Sequence, residues 1–225
     1  MIRAVVFDFD GVIANSEPLH FQAFRDVLRQ EAVALTEQDY YARYLGYDDA
    51  GVFQAVGRDR GLRWSADRVT GLADRKAARL EEIADPASLL FPGADAAIRR
   101  LAAVLPLAIA SGALRAEILR VLERTDLSGC FRAIVGAEDA PSKPAPDPYL
   151  RAVERLAAAI DRPLSPGECV AVEDSQWGLA SARAAGLRTV AVTHTYRAAD
   201  LREADLVIAS LDALDMENLG RIDAH

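Results

Sequence analysis

The chain has 225 residues, 51% of them apolar and 27% charged, with a formal charge of -8, an ordinary globular composition that excludes a disordered chain. Without a basic block it lacks the electrostatic footprint of a nucleic-acid binder, so nucleic acid is not an expected partner. The first apolar run stops at Asp8, too early for a signal peptide or a membrane span, which predicts a cytoplasmic protein with no membrane partner.

In chain order, Arg3 to Phe7 is a short, nearly all-apolar run of the kind that fits a strand buried on both faces. From about Asn15 to Leu90 no convincing strand follows. Leu19, Phe24, Val27 and Leu28 form a helical stripe, Thr36 and Asp39 resemble a capping box, and Ser65 can cap a helix running towards Ile83. Within this stretch Phe53, Trp64 and Tyr47 read as core, and Arg75 and Lys76 as a solvated helix face. Phe91-Pro92-Gly93 punctuates a return to strands at Pro106 to Ala110, Ala133 to Val135, Cys169 to Val172, Thr189 to Val192 and Leu206 to Ala209. Between them lie helices over Leu114 to Glu123, Asp147 to Ala159 and Gln176 to Ala185, the last closed by Gly186. The expected fold class is α/β, a doubly wound parallel sheet built from residues 1–14 and 91–225, with an inserted helical domain over 15–90. Cys130 and Cys169 lack the spacing of a zinc site or a disulfide framework and read as reduced core thiols.

Chemistry gathers where the strands end. Asp8-Phe9-Asp10-Gly11 closes the first run, Ser111-Gly112 the second, Lys143 follows the third, and Glu173-Asp174 the fourth. Open α/β sheets bind ligands at those carboxyl ends. Transfer of a phosphoryl group needs a nucleophile, neutralised phosphate oxygens and a proton for the leaving oxygen. Asp8 can attack because a carboxylate is already ionised, and Asp10 can hold the proton. Asp8, Asp10, Glu173 and Asp174 crowded together require a hard divalent cation, and magnesium suits such oxygen ligands. Asp8 and Asp174 are the best side-chain ligands, and Glu173 could bind directly or through water. Lys143 can neutralise nucleophile and phosphate, and Ser111 with Gly112 and nearby amides can hold a phosphate oxygen at a helix start.

In this order Asp8-Phe9-Asp10-Gly11, Ser111, Lys143 and Glu173-Asp174 resemble the motifs of the haloacid dehalogenase superfamily. Ser16-Glu17 to His20, Lys143-Pro144-Ala145-Pro146-Asp147 and Glu173-Asp174-Ser175 with Gly178 are similar to its beta-phosphoglucomutase-like phosphatases. The resemblance implies a mobile helical cap, an aspartyl-phosphate intermediate and a small-molecule phosphate ester as substrate. It argues against dehalogenation, because the dehalogenases lack the second aspartate that Asp10 supplies. His20 matches the mutase's hinge histidine and keeps a sugar phosphomutase as an alternative, beside a non-catalytic phosphometabolite-binding module. The mutase grips its second phosphate with a basic residue, whereas the matching turn here, Gly46-Tyr47-Asp48-Asp49, is acidic. His20 and Arg115 are candidates for substrate or hinge duty.

Overall fold

Short runs of β-branched and small apolar residues pair into one all-parallel sheet of six strands in the order β3-β2-β1-β4-β5-β6. The computed structural model describes residues 1–45, 47–83 and 89–222. In chain order the elements are β1 (Ala4–Phe7), α1 (Glu17–Gln30), α2 (Glu37–Arg43), α3 (Asp49–Asp59), α4 (Ala66–Ile83), α5 (Ala94–Ala102), β2 (Leu107–Ala110) and α6 (Arg115–Arg124). There follow β3 (Phe131–Val135), α7 (Asp147–Ala159), β4 (Cys169–Glu173), α8 (Gln176–Ala184), β5 (Arg188–Val192), β6 (Leu206–Ile208) and α9 (Met216–Ile222). Contacts divide the chain into two units, Met1–Asn15 with Pro86–His225, and Ser16–Asp85.

In the sheet unit, alternation along each strand sorts side chains by size. Val5, Phe7, Ile109 and Val172 pack with Ile98 of α5, Ile118 of α6 and Leu219 of α9. The opposite face carries Ala4, Ala108, Ala110 and Ala171 against Tyr149, Leu156 and Ala182 of α7 and α8. Small strand residues there leave room for the Tyr149 ring. The register brings three strand ends level: Phe7 pairs with Ile109 of β2 and with Val172 of β4. The next residues on β1 and β4, Asp8 and Glu173, and Ser111 just past β2 therefore emerge at one edge. This edge is the switch point, where strand order runs outward from β1 in both directions.

The helical unit has its own core of Phe24, Val27 and Leu28 from α1, Tyr40 from α2, Phe53 and Val56 from α3, and Leu72 from α4. The starts of α2, α3 and α4 are capped by side chains: Thr36 accepts from the Asp39 amide at 3.0 Å, Asp48 from Gly51 at 2.7 Å and Ser65 from Arg68 at 3.2 Å. Phe53 is core, and Trp64 packs against it half-buried. Tyr47 is not: it is 54% exposed, because it lies in the turn before α3 and not on an apolar helix face. Lys76 also departs from the expected solvated face, being 1% exposed. Gly46 of the acidic turn lies outside the described residues.

Cys169 is buried in β4 and Cys130 is half-buried, and both are free thiols. No described helix is long and apolar enough to cross a membrane.

The small-residue face of the sheet can be tested by overfilling it. Ala108→Leu should cost about 1–3 kcal/mol of stability, read as a lower midpoint in urea; an unchanged midpoint would mean that α7 does not pack closely on β2.

Candidate active site

Asp8 follows β1 directly, and its amide donates to Val172 O of β4 at 2.9 Å, which locks the nucleophile candidate to the neighbouring strand. Lys143 comes from the loop between β3 and α7. Its ammonium donates to Asp8 Oδ1 at 2.7 Å and to Glu173 Oε1 at 2.6 Å. Glu173 is fully buried and also accepts from the Tyr149 hydroxyl at 2.6 Å and from Ser175 Oγ at 3.2 Å. Its oxygens are thus engaged by protein donors, which makes it the anchor of Lys143. Gly178 lies against it: a Cβ there would come within 2.0 Å of the carboxylate oxygens. The glycine in the first turn of α8 is therefore a space requirement of Glu173.

Asp8, Glu173 and Asp174 form a buried set whose oxygens lie within 4.8 Å of one another. Burial, and then repulsion from Glu173, pushes the Asp8 carboxyl well above its ordinary value despite Lys143. Burial raises Asp174 to about 6, against a hydrogen bond from the Thr195 side chain. Burial opposes charge on Lys143, but Asp8 and Glu173 outweigh it and hold the ammonium above its usual pKa. Three carboxylates face one ammonium. That imbalance fits a hard cation with oxygen ligands: Asp8 meets Lys143 through Oδ1, which leaves Oδ2, and with Asp174 it is the group placed to hold the cation, since Glu173 is taken up by Lys143, Tyr149 and Ser175. Asp10 is exposed in the turn that follows Asp8, and its carboxylate lies outside the buried set. This position suits proton exchange better than ligation by its side chain.

Ser111 is buried just past β2, its amide bonded to Val135 O, and its hydroxyl accepts from the Ala113 amide at 3.0 Å. The start of α6 is already filled: Glu117 takes the Leu114 amide and Glu138 the Arg115 amide. A phosphate oxygen held here would meet Ser111 and Gly112 before the helix, where a side chain on Gly112 would project into open space. Arg115 is drawn away from that task. Its guanidinium binds Asp139 at 2.9 Å and the Ile134 carbonyl at 2.5 Å, and Arg155 binds the same two groups. Together the two arginines brace the loop that leads to Lys143, and their hydrogen bonds hold Asp139 far below the usual carboxylate range.

In the helical unit, His20 of α1 is joined to Lys76 of α4. The Lys76 ammonium donates to Asp49 Oδ1 at 2.6 Å and to His20 Nδ1 at 3.0 Å and lies 4.7 Å from the centre of the Phe24 ring. Because lysine only donates, Nδ1 accepts and the imidazole is neutral. Burial, and then the Lys76 charge, lowers the His20 pKa to about 4. Asp49 is accordingly a paired charge and Asp48 a helix cap. Arg75 instead pairs with Glu31 at 2.7 Å.

Several of these residues were invisible in sequence. Tyr149 reads as one more apolar position of α7, and Lys76 as one more charge. Only Gly178, a glycine inside a helix, carried a signal of close approach.

A family model described as haloacid dehalogenase-like hydrolase matches residues 2–186. The chain belongs to this family. It is 35% identical to protein CbbY of Rhodobacter capsulatus over 95% of this chain and 97% of that protein. It is 30% identical to hexitol phosphatase B of Escherichia coli, over 97% and 96%. Among solved structures, beta-phosphoglucomutase from Clostridium difficile superposes with a TM-score of 0.73 at 20% identity, covering 100% of this chain and 98% of that one, a likeness of fold. The protein is a phosphatase-type hydrolase of phosphorylated metabolites.

The neutral His20 makes a pH prediction. Its pKa is depressed on folding, from 6.5 to about 4, so its contribution to stability is present above pH 6.5 and is lost as pH falls towards 4. The difference in unfolding free energy between wild type and His20→Asn should therefore shrink across that window; a constant difference would mean that His20 is not buried neutral against Lys76.

Proposed function

We propose that the protein is a magnesium-dependent phosphatase that forms an aspartyl-phosphate on Asp8 and passes the phosphoryl group to water. The observation that carries this reading is the buried Asp8 held 2.7 Å from Lys143 at the switch point of the sheet. Asp8 attacks the phosphorus of a monoester, the P–O ester bond breaks, and Asp10 gives its proton to the departing oxygen. Asp10 then takes a proton from water as that water attacks the acyl phosphate, which releases inorganic phosphate and restores Asp8. Lys143 favours the anionic form of Asp8 against burial and the neighbouring carboxylates and compensates the phosphate charge, while Ser111 and Gly112 bind a phosphate oxygen. A magnesium ion on Asp8 and Asp174 would supply charge neutralisation for nucleophile and phosphate.

The helical unit, in the role of cap, would select the leaving group. Where the mutase carries a cation for a second phosphate, this chain has Asp48 and Asp49, and its one buried lysine there, Lys76, is already neutralised by Asp49. A distal phosphate finds no spare positive charge in that cluster. A monophosphorylated small metabolite, a sugar phosphate among them, is the substrate class that follows, and the name of the hexitol phosphatase relative supports a small phosphorylated metabolite.

Asp8→Asn should reduce phosphate release on the order of a thousandfold or more with the fold intact, and Asp10→Asn by about 10²–10⁴. Asp174→Ala should raise the magnesium concentration needed for half-maximal rate. Phosphate release in a magnesium titration checks all three, and normal turnover by the Asp8 variant would remove it as nucleophile.

Hydrolase and mutase separate with beta-glucose 1-phosphate in the presence and absence of glucose 1,6-bisphosphate. Phosphate release independent of the bisphosphate is expected. Bisphosphate-dependent glucose 6-phosphate formation outpacing phosphate release would establish the mutase, which His20 keeps in view.

A further inference from the structure

Behind the Asp8–Gly11 turn, on the side of β5, stands an imidazole that the proposed chemistry does not use. His194 lies two residues past β5, in a segment tied to β6 by the Thr193 amide on Ile208 O at 3.0 Å. Its Nδ1 is 3.0 Å from the Gly11 carbonyl. The carbonyl only accepts, so Nδ1 carries the proton. The ring stacks on Phe91 with centroids 4.0 Å apart and planes 16° apart. Phe91 is itself fixed to the same turn by its amide on Ile13 O at 3.0 Å.

The other side of Gly11 is closed by Asp174. Gly11 has φ +79°, and a Cβ there would lie 2.1 Å from Asp174 Oδ2. The side chain of Thr195, the next residue after His194, favours the charged form of the Asp174 carboxyl. His194 thus holds the Gly11 carbonyl on one side of this contact, and Asp174 closes the other. Within the turn, Phe9 O accepts from the Ile13 and Ala14 amides, and the Gly11 amide donates to Ala14 O. Asp10, with its exposed side chain, is therefore carried on a backbone held by the bonds of the turn, and at the Gly11 carbonyl a side chain from outside the turn fastens it.

Resting on the phosphoryl-transfer reading, we propose that His194 is a positioning residue for the general acid. Its Nδ1–H bond to Gly11 and its stack on Phe91 set the angle at which Asp10 meets the leaving oxygen. Without the donor, the Gly11 carbonyl turns to water and the turn gains freedom; loss of orientation at a reacting group costs rate while substrate binding is left largely unchanged. The effect must fall on the step that needs a proton. An ester whose leaving group departs as an anion should be indifferent to it.

The experiment compares phenyl phosphate, which needs protonation, with 2,4-dinitrophenyl phosphate, which does not, in saturating magnesium. His194→Phe keeps an aromatic ring for the stack and removes the donor; His194→Asn removes the ring but places an amide N–H where Nδ1–H stood. The expected result for His194→Phe is a loss of about tenfold or more in kcat/KM for phenyl phosphate and less than about twofold for the dinitrophenyl ester, with largely restored selectivity in His194→Asn. Equal losses on both esters, or no loss on either, would overturn the proposal, because a residue serving stability alone slows both alike. The hydrogen bond is read separately, without turnover, from long-range 1H–15N spectra of the wild type. The Nδ1–H tautomer is expected; an Nε2–H tautomer would overturn the proposal even in an active enzyme. Failure of the wild type to hydrolyse either ester, with the Nδ1–H tautomer present, would instead strike the phosphatase reading and take this role with it.

Discussion

Lys143 stands between Asp8 and Glu173 with its ammonium 2.7 and 2.6 Å from their oxygens, and the arrangement of the catalytic edge follows from the need to keep that buried charge satisfied. A buried ammonium is tolerated only when paired, and breaking such a pair typically costs about 3–5 kcal/mol. Here one partner is the proposed nucleophile. Glu173, fully buried and fixed by Tyr149 and Ser175, holds the lysine in place so that Asp8 is met by a cation without having to anchor it. The small residues on the α7 face of the sheet admit the Tyr149 ring, and the absent side chain at Gly178 admits the Glu173 carboxylate. A packing choice on the strands is thereby tied to the charge on the nucleophile.

The same economy of space appears at Gly11, where the backbone of the turn touches Asp174 closely enough to forbid any side chain. The two aspartates best suited to a cation follow different strands, whose register brings them together, and the bare Gly11 leaves room for Asp174. Their raised pKa values state the electrostatic debt: three buried carboxylates with one ammonium leave negative charge that either protons or a divalent ion must offset.

The helical unit repeats the pattern with different parts. Lys76 is buried against Phe24 and held by Asp49 and neutral His20, so a basic residue and an acidic one that look like independent surface charges form a closed pair. This pair changes the meaning of the acidic turn. Its two carboxylates are a helix cap and a counter-ion, and the obstacle to a second phosphate is the lack of spare positive charge more than bare repulsion.

The sheet, its strand ends and the order of Asp8, Asp10, Ser111, Lys143 and Glu173-Asp174 were legible in sequence. Buried parallel strands are written as continuous apolar runs, and ligand residues of such folds follow the strands directly. The helices around Phe24 and Phe53 were legible for a similar reason, since periodicity and capping residues are local. What only tertiary structure decided was the pairing of charges. Sequence gives the sign of Lys76, Arg115, Asp49 and Glu173 but not their partners, because those lie 19 to 30 residues away along the chain. Arg115 thus pairs with Asp139, Lys76 was buried and not solvated, and His194, with no motif around it, met Gly11 from 183 residues away. Chain folding alone sets such distances, and burial then makes each partner obligatory.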